Sequence, residues 1–103
     1  MEKVRLAPEL AYQLNDLIDV LFIAEYFGFK QTAIDYVTDI ENFIYTIPNQ
    51  KHKICKNKKH GIYFCKYKRN HHTTWYIIFD KVNEFYLIKY ITNNHTTDYL
   101  SLV

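Results

Sequence analysis

The chain predicts an α+β domain, with a short N-terminal strand and a helical hairpin packed on a C-terminal antiparallel β-sheet. Three observations predict it. Apolar residues recur at helical spacing through the first half, and the period changes from 3.6 to 2 after residue 61. Only two glycines and two prolines interrupt 103 residues, so long elements and short loops are expected. That length fits one domain, residues 1–103, and allows a core that buries roughly two thirds of the unfolded chain's surface. Aromatic residues make up 17% of the chain and, with β-branched ones, run throughout, which argues against disorder.

The elements follow in order. Val4 and Leu6 alternate with charged residues, which predicts a short strand ending before Pro8. Pro8 suits a helix's first turn. Leu10, Leu14, Leu17 and Leu21 recur at spacings of four, three and four, widened by Ile18 and Phe22, so a helix is expected over about 8–27. Gly28 breaks it. A second helix is expected over about 30–47, with Ala33, Val37, Ile40, Phe43, Ile44 and Ile47 on one face and Pro48 closing it. So short a turn makes the pair an antiparallel hairpin. Residues 49–61 form a polar, basic loop. Strands are expected over Ile62–Arg69, Trp75–Asp80 and Phe85–Thr92, because Tyr, Phe, Ile and Trp suit a half-buried pleated surface. Residues 93–103 read as a loop ending in a short strand or docking segment.

Charge divides the chain. Residues 1–50 hold three basic and eight acidic side chains, whereas residues 51–103 hold ten basic and three acidic ones. All five histidines and six of the ten tyrosines lie in the second half. A basic, Tyr-rich half fits a protein that faces nucleic acid, and equally a solvated basic face with no such partner. No apolar leader follows Met1, and the longest apolar run, residues 20–24, is far too short to span a bilayer. Cys55 and Cys65 read as reduced thiols, so a cytoplasmic location without membrane contact is expected.

Element order and several segments resemble the RelE/ParE superfamily of small toxins from bacterial type II toxin–antitoxin pairs. The resembling residues are Phe43-Ile44-Tyr45-Thr46-Ile47-Pro48, Tyr63-Phe64-Cys65-Lys66-Tyr67-Lys68-Arg69, Trp75-Tyr76-Ile77-Ile78-Phe79, Tyr86-Leu87-Ile88-Lys89-Tyr90-Ile91 and the segment Asn93-Asn94-His95-Thr96-Thr97-Asp98-Tyr99. The resemblance spans nearly the whole chain and rests on element order rather than on one motif. It implies a toxin, most simply a ribosome-dependent, metal-independent mRNA endoribonuclease that inhibits translation. The partners would be the ribosome, mRNA and a cognate antitoxin received near Phe22, Phe27 and Phe29. The alternatives are a non-enzymatic inhibitor of DNA gyrase, as in the ParE branch, and a non-toxic nucleic-acid- or partner-binding module of the same fold.

The candidate catalytic residues are Lys66, Lys68, Arg69, His95 and Tyr99. Strand alternation places Lys66 and Lys68 on one face, where two parallel ammonium groups could hold phosphates or stabilise charge on a scissile one; the same lysines could simply guard a sheet edge. Tyr63, Cys65, Tyr67 and Arg69 take the other face. His95 and Tyr99 lie just past the last core strand, where a histidine can move a proton at neutral pH or merely bond to Asp98. Lys51, Lys53, Lys56, Lys58, Lys59 and His60 form a candidate phosphate-binding loop, or solvated surface. Tyr63, Tyr67 and Tyr76 could stack on bases or pack on the helices. The ribonuclease branch usually has an arginine near the strand written here as Thr73-Thr74-Trp75-Tyr76 and an acidic base in the loop; this chain has neither, so either Arg69 and His95 substitute or the chain is not a standard mRNA interferase, which fits the ParE branch as well. The spacing of His52, Cys55, His60 and Cys65 matches no standard zinc knuckle, and with His71 and His72 added still no metal or cofactor is expected.

Overall fold

A computed structural model describes residues 3–23 and 30–103. The elements are β1 (Lys3–Leu6), α1 (Pro8–Ile23), α2 (Lys30–Ile44), a 3-10 turn (Ile47–Asn49), β2 (Lys53–Ile54), β3 (Tyr63–Lys68), β4 (Thr74–Val82), β5 (Phe85–Asn93) and α3 (Tyr99–Leu102). The architecture is α+β, with helices α1 and α2 on one face of a five-stranded sheet of order β1-β5-β4-β3-β2. Strands β2 to β5 pair antiparallel, as expected. Strand β1 adds parallel to β5, in register Lys3 to Phe85 through Leu6 to Ile88, so the sheet is mixed.

Helix α1 begins where Pro8 needs no donor, and Leu10 and Ala11 N–H groups return to the Ala7 carbonyl. Residues 24–27, the end of the helix read from the sequence, lie outside the described residues, as do Gly28 and Phe29. Helix α2 stops at Ile44, three residues before the expected end. The Thr46 hydroxyl bonds the Phe43 carbonyl at 2.6 Å, and the residues around Pro48 tighten into the 3-10 turn, because the position before proline disfavours α-helix. Leu10 and Leu14 of α1 and Ala33, Val37, Ile40 and Ile44 of α2 are buried. Most of them pack against Cys65, Trp75, Ile77, Phe79, Tyr86, Ile88 and Ile91, which form the sheet's inner face.

The basic loop contains the two-residue strand β2, and the tail is a helix rather than a strand. Leu102 of α3 is buried against Cys55, Phe64 and Ile78, giving the opposite face of the sheet its own small core. Gly61 crosses that core so closely that a Cβ there would sit 2.7 Å from Ile78 Cγ2, which is why glycine closes the loop. The β4–β5 hairpin turns on Asn83 and Glu84; Asn83 takes φ 55°, a conformation asparagine tolerates.

Beyond Ile88 no strand among the described residues lies beside the outer edge of β5. Gln13 of α1 takes that place: its Nε2 donates to the Ile91 carbonyl at 2.6 Å and its Oε1 accepts from Ile91 N–H at 3.1 Å. Replacement by methionine keeps the volume and leaves both backbone groups unpaired. Gln13→Met is expected to lower unfolding free energy by about 1–3 kcal/mol in urea titrations, and exchange of the Ile91 amide proton should accelerate with it.

Candidate nucleic-acid interface

Alternation along β3 turns Phe64, Lys66 and Lys68 away from α1 and α2. Their cross-strand partners are Ile78, Tyr76 and Thr74. Tyr76 therefore stands beside Lys66 on the face that α1 and α2 leave open. Its ring stacks on that of Tyr99, with centroids 5.5 Å apart and planes at 20°. Three of the five candidate catalytic residues, Lys66, Lys68 and Tyr99, thus share this face.

Tyr99 is held there by Asp98. The Asp98 carboxylate accepts hydroxyl hydrogen bonds from Tyr90 at 3.0 Å, Thr92 at 3.1 Å and Thr96 at 2.8 Å. Burial pushes its pKa up, but the bonds from Thr96, Tyr90 and Thr92 outweigh burial and hold it below 3.8. The tail is also tied to the basic loop, since Lys56 N–H donates to the Leu102 carbonyl at 2.9 Å.

Beside Lys66 a cleft of about 890 Å³ opens, lined by residues 49–53 with Phe64 and Lys66. Lys51, Lys53 and Lys66 are exposed, and among the described residues no carboxylate lines the cleft. The ion pairs among the described residues are Lys30–Asp19, Arg69–Asp39 and Lys89–Asp80. None involves a cleft lysine. Here the loop candidates and the strand candidates meet: Lys51 and Lys53 join Lys66 because β2 pairs with β3, with Lys53 opposite Phe64.

Other candidates go elsewhere. Arg69 emerges on the helix side, as alternation dictates. Its Nη1 donates to Asp39 Oδ2 at 2.6 Å and to the Tyr67 hydroxyl at 3.4 Å, and its guanidinium lies 4.4 Å from the Tyr36 ring centroid. It ties α2 to the sheet and does not join the lysines. His95 also leaves the lysine face. The turn after β5, in which His95 N–H donates to Asn93 Oδ1, carries it to a pocket shared with α1 and α2, where Nε2 lies 3.0 Å from Thr73 Oγ1. Lys56 supports α3, and Lys58 is exposed. Lys59 and His60 line a second cleft with Lys89 and Tyr90, at the β5 side of the sheet. His60 stacks flat on Tyr90 at 3.8 Å; burial first, and then Lys59 and Lys89, lower its pKa against the opposing pull of Asp98.

Of the candidate stacking tyrosines, Tyr63 and Tyr67 pack on the helix side, Tyr67 against Phe43 at 4.8 Å, and only Tyr76 faces the open side. His52 lines the lysine cleft and meets Tyr63 edge-on at 5.2 Å. No sequence pattern marks it for the cleft, because a histidine within a lysine run has no spacing of its own. Cys55 and Cys65 are free and buried. Among the described residues no group of three or more His, Cys, Asp or Glu side chains is placed to hold a metal ion, and no helix is long and apolar enough to cross a membrane. No family model, no curated protein and no solved structure matches the chain.

Two measurements test this geometry. Asp98 titrates below its unfolded value, so its contribution is complete above pH 3.8 and is lost as pH falls through the folded value. Asp98→Asn should cost about 1 kcal/mol at pH 7, the low figure reflecting partial exposure, and should flatten the acid limb of stability against pH. Burial pushes the Cys65 thiol up from 9.0 to about 11. At pH 8 a thiol reagent should label it about a hundredfold more slowly in the folded than in the unfolded protein, and mass mapping after timed quenching checks this.

Proposed function

We propose that this chain binds RNA across the open face of its sheet and acts as the toxin of a type II toxin–antitoxin pair of the RelE/ParE kind, a ribosome-dependent mRNA endoribonuclease. The observation that carries the reading is the cleft in which Lys51, Lys53 and Lys66 converge with no carboxylate among them. Uncompensated ammonium groups on one face attract a polyanion, and release of its counterions drives binding. Lys66 and Lys68 lie two residues apart on one strand, about 6.6 Å, and can hold neighbouring phosphates.

Cleavage by the 2′-hydroxyl forms a bond to phosphorus and breaks the bond to the 5′-oxygen; the attacking hydroxyl gives its proton to a solvent water, and the leaving 5′-oxygen must take one up. Lys66 and Lys68 would neutralise the phosphate as charge builds on it. The Tyr99 phenol, stacked on Tyr76 beside Lys66, would give a proton to the leaving 5′-oxygen. Arg69 and His95 have no place in this scheme. Their separation from the lysines favours the second reading, a non-enzymatic inhibitor of the same fold that binds its target, such as DNA gyrase, through the same basic face.

Cell-free translation with mapping of message 5′ ends separates the two. Cleaved message at substoichiometric protein, reduced at least tenfold by Lys66→Ala or Tyr99→Phe, supports the ribonuclease. Intact message with supercoiling blocked supports the inhibitor, and no effect on either process sinks both. On a single-stranded RNA, each cleft lysine removed should reduce the slope of log affinity against log salt by about 0.7.

A further inference from the structure

At the end of the sheet that carries Lys68 lies a separate pocket of about 450 Å³, on the helix side. Leu17 and Leu21 of α1 and Trp75 of β4 wall it; Asn70, Asn93 and His95 stand at its rim. The rim groups are held in fixed orientations. Asn70 Oδ1 accepts the N–H groups of His72 and Thr73 at 2.8 and 2.9 Å, and Asn93 Oδ1 accepts the His95 N–H at 2.8 Å. Because each oxygen is committed to backbone donors, each amide Nδ2 is the atom left for a ligand. His95 Nε2 is taken by Thr73 Oγ1 at 3.0 Å, which leaves Nδ1. Two amide donors and one ring nitrogen thus surround an apolar hollow, the arrangement that recognises a flat, apolar-faced molecule with polar atoms on its edge.

We propose that this pocket binds a nucleobase, taking one base of the RNA strand whose phosphates the lysine face holds. The inference rests on the RNA reading above and adds to it a base-recognition site off the lysine face. Continuity with the lysines supports it. Lys68 pairs with Thr74, and the adjacent Thr73 lines the pocket, so a strand that follows Lys66 and Lys68 off the end of β3 reaches the rim directly. The volume is large enough to take one base. The edge it reads is rich in acceptors, such as base carbonyls and ring nitrogens, because both asparagines offer donors.

Trp75 is the chain's single tryptophan and reports on the pocket directly. The experiment is titration of the full chain with each of the four nucleoside 5′-monophosphates, read by tryptophan fluorescence, with ribose 5-phosphate as the control without a base. At least one nucleotide should change the emission saturably, with a Kd of about 1–10 mM as suits so small a ligand, while ribose 5-phosphate leaves it unchanged. Asn93→Ala should weaken that binding about fivefold or more, and so should Val20→Phe, which narrows the pocket from a position already 49% exposed. Lys66→Ala should leave nucleotide binding intact while lowering retention of single-stranded RNA. Silence of all four nucleotides up to about 20 mM overturns the proposal. So does an equal response to ribose 5-phosphate, or unchanged binding in both pocket variants. RNA retained by the lysines with silent nucleotides would end the pocket inference alone; nucleotide binding without RNA retention would end the RNA reading and leave the pocket's specificity for bases supported.

Discussion

Lys89 has no backbone register partner on β4. Ile78 pairs with Tyr90 and Phe79 pairs with Ile88, so β5 carries one extra residue at Lys89, a β-bulge. Strict alternation from Ile88 would turn Ile91 outward and Tyr90 and Thr92 toward the helices. The extra residue resets the phase, so that Ile88 and Ile91 both enter the inner core while Tyr90 faces the opposite side with Thr92. Lys89 itself is tied to Asp80 at 3.1 Å, and the other Asp80 oxygen holds the Ile62 N–H that leads into β3. Both faces depend on this one insertion. The inner face keeps the apolar row that α1 and α2 need. The outer face gains the two hydroxyls that bind Asp98, and through them α3 and Tyr99 come to rest beside Lys66.

That dependence explains which parts of the structure were legible. The α1 stripe from Leu10 to Leu21, the alternation of β3 and the change of period after Gly61 are local patterns, and each appears where its residues predict it. The division of Lys66 and Lys68 from Arg69 follows from alternation alone. What a pattern cannot carry is a long-range pairing. Gln13 is an ordinary polar residue of an amphipathic helix until β1 is seen to end at Leu6, which leaves the Ile91 backbone to be satisfied from α1. The bulge leaves only a spacing of three between Ile88 and Ile91, ambiguous between strand and helix. The four-residue α3 is too short for any periodicity, and His95 turns to the helix side because of a turn whose bonds come from Asn93.

The charge division of the sequence is a division of faces. Asp19 and Asp39 sit on exposed positions of α1 and α2, where they meet Lys30 and Arg69. The basic half supplies four of the five strands of the sheet. Its one arginine and Lys89 are spent on carboxylates that hold elements together, while most of its lysines are not. Arg69 suits its role because a planar guanidinium can bond Asp39 and lie on the Tyr36 ring together, which an ammonium group could not do as well.

The remaining lysines are hard to explain by stability. Like charges gathered around one cleft repel, and a fold selected only to persist would gain by placing a carboxylate among Lys51, Lys53 and Lys66. A sheet edge guarded against pairing needs one or two lysines, not three converging on a hollow with an aromatic floor at Phe64. The neighbouring Tyr76–Tyr99 stack stays half-exposed at the margin of the small core of Cys55, Phe64, Ile78 and Leu102, and the tail that carries it is ordered by Asp98 and its three hydroxyl partners. Repulsion retained in the cleft and order imposed on the tail both act against the folded state when the protein is alone. Both become favourable when a polyanion with flat, stackable groups occupies that face, and that asymmetry is the physical ground for reading it as a binding surface.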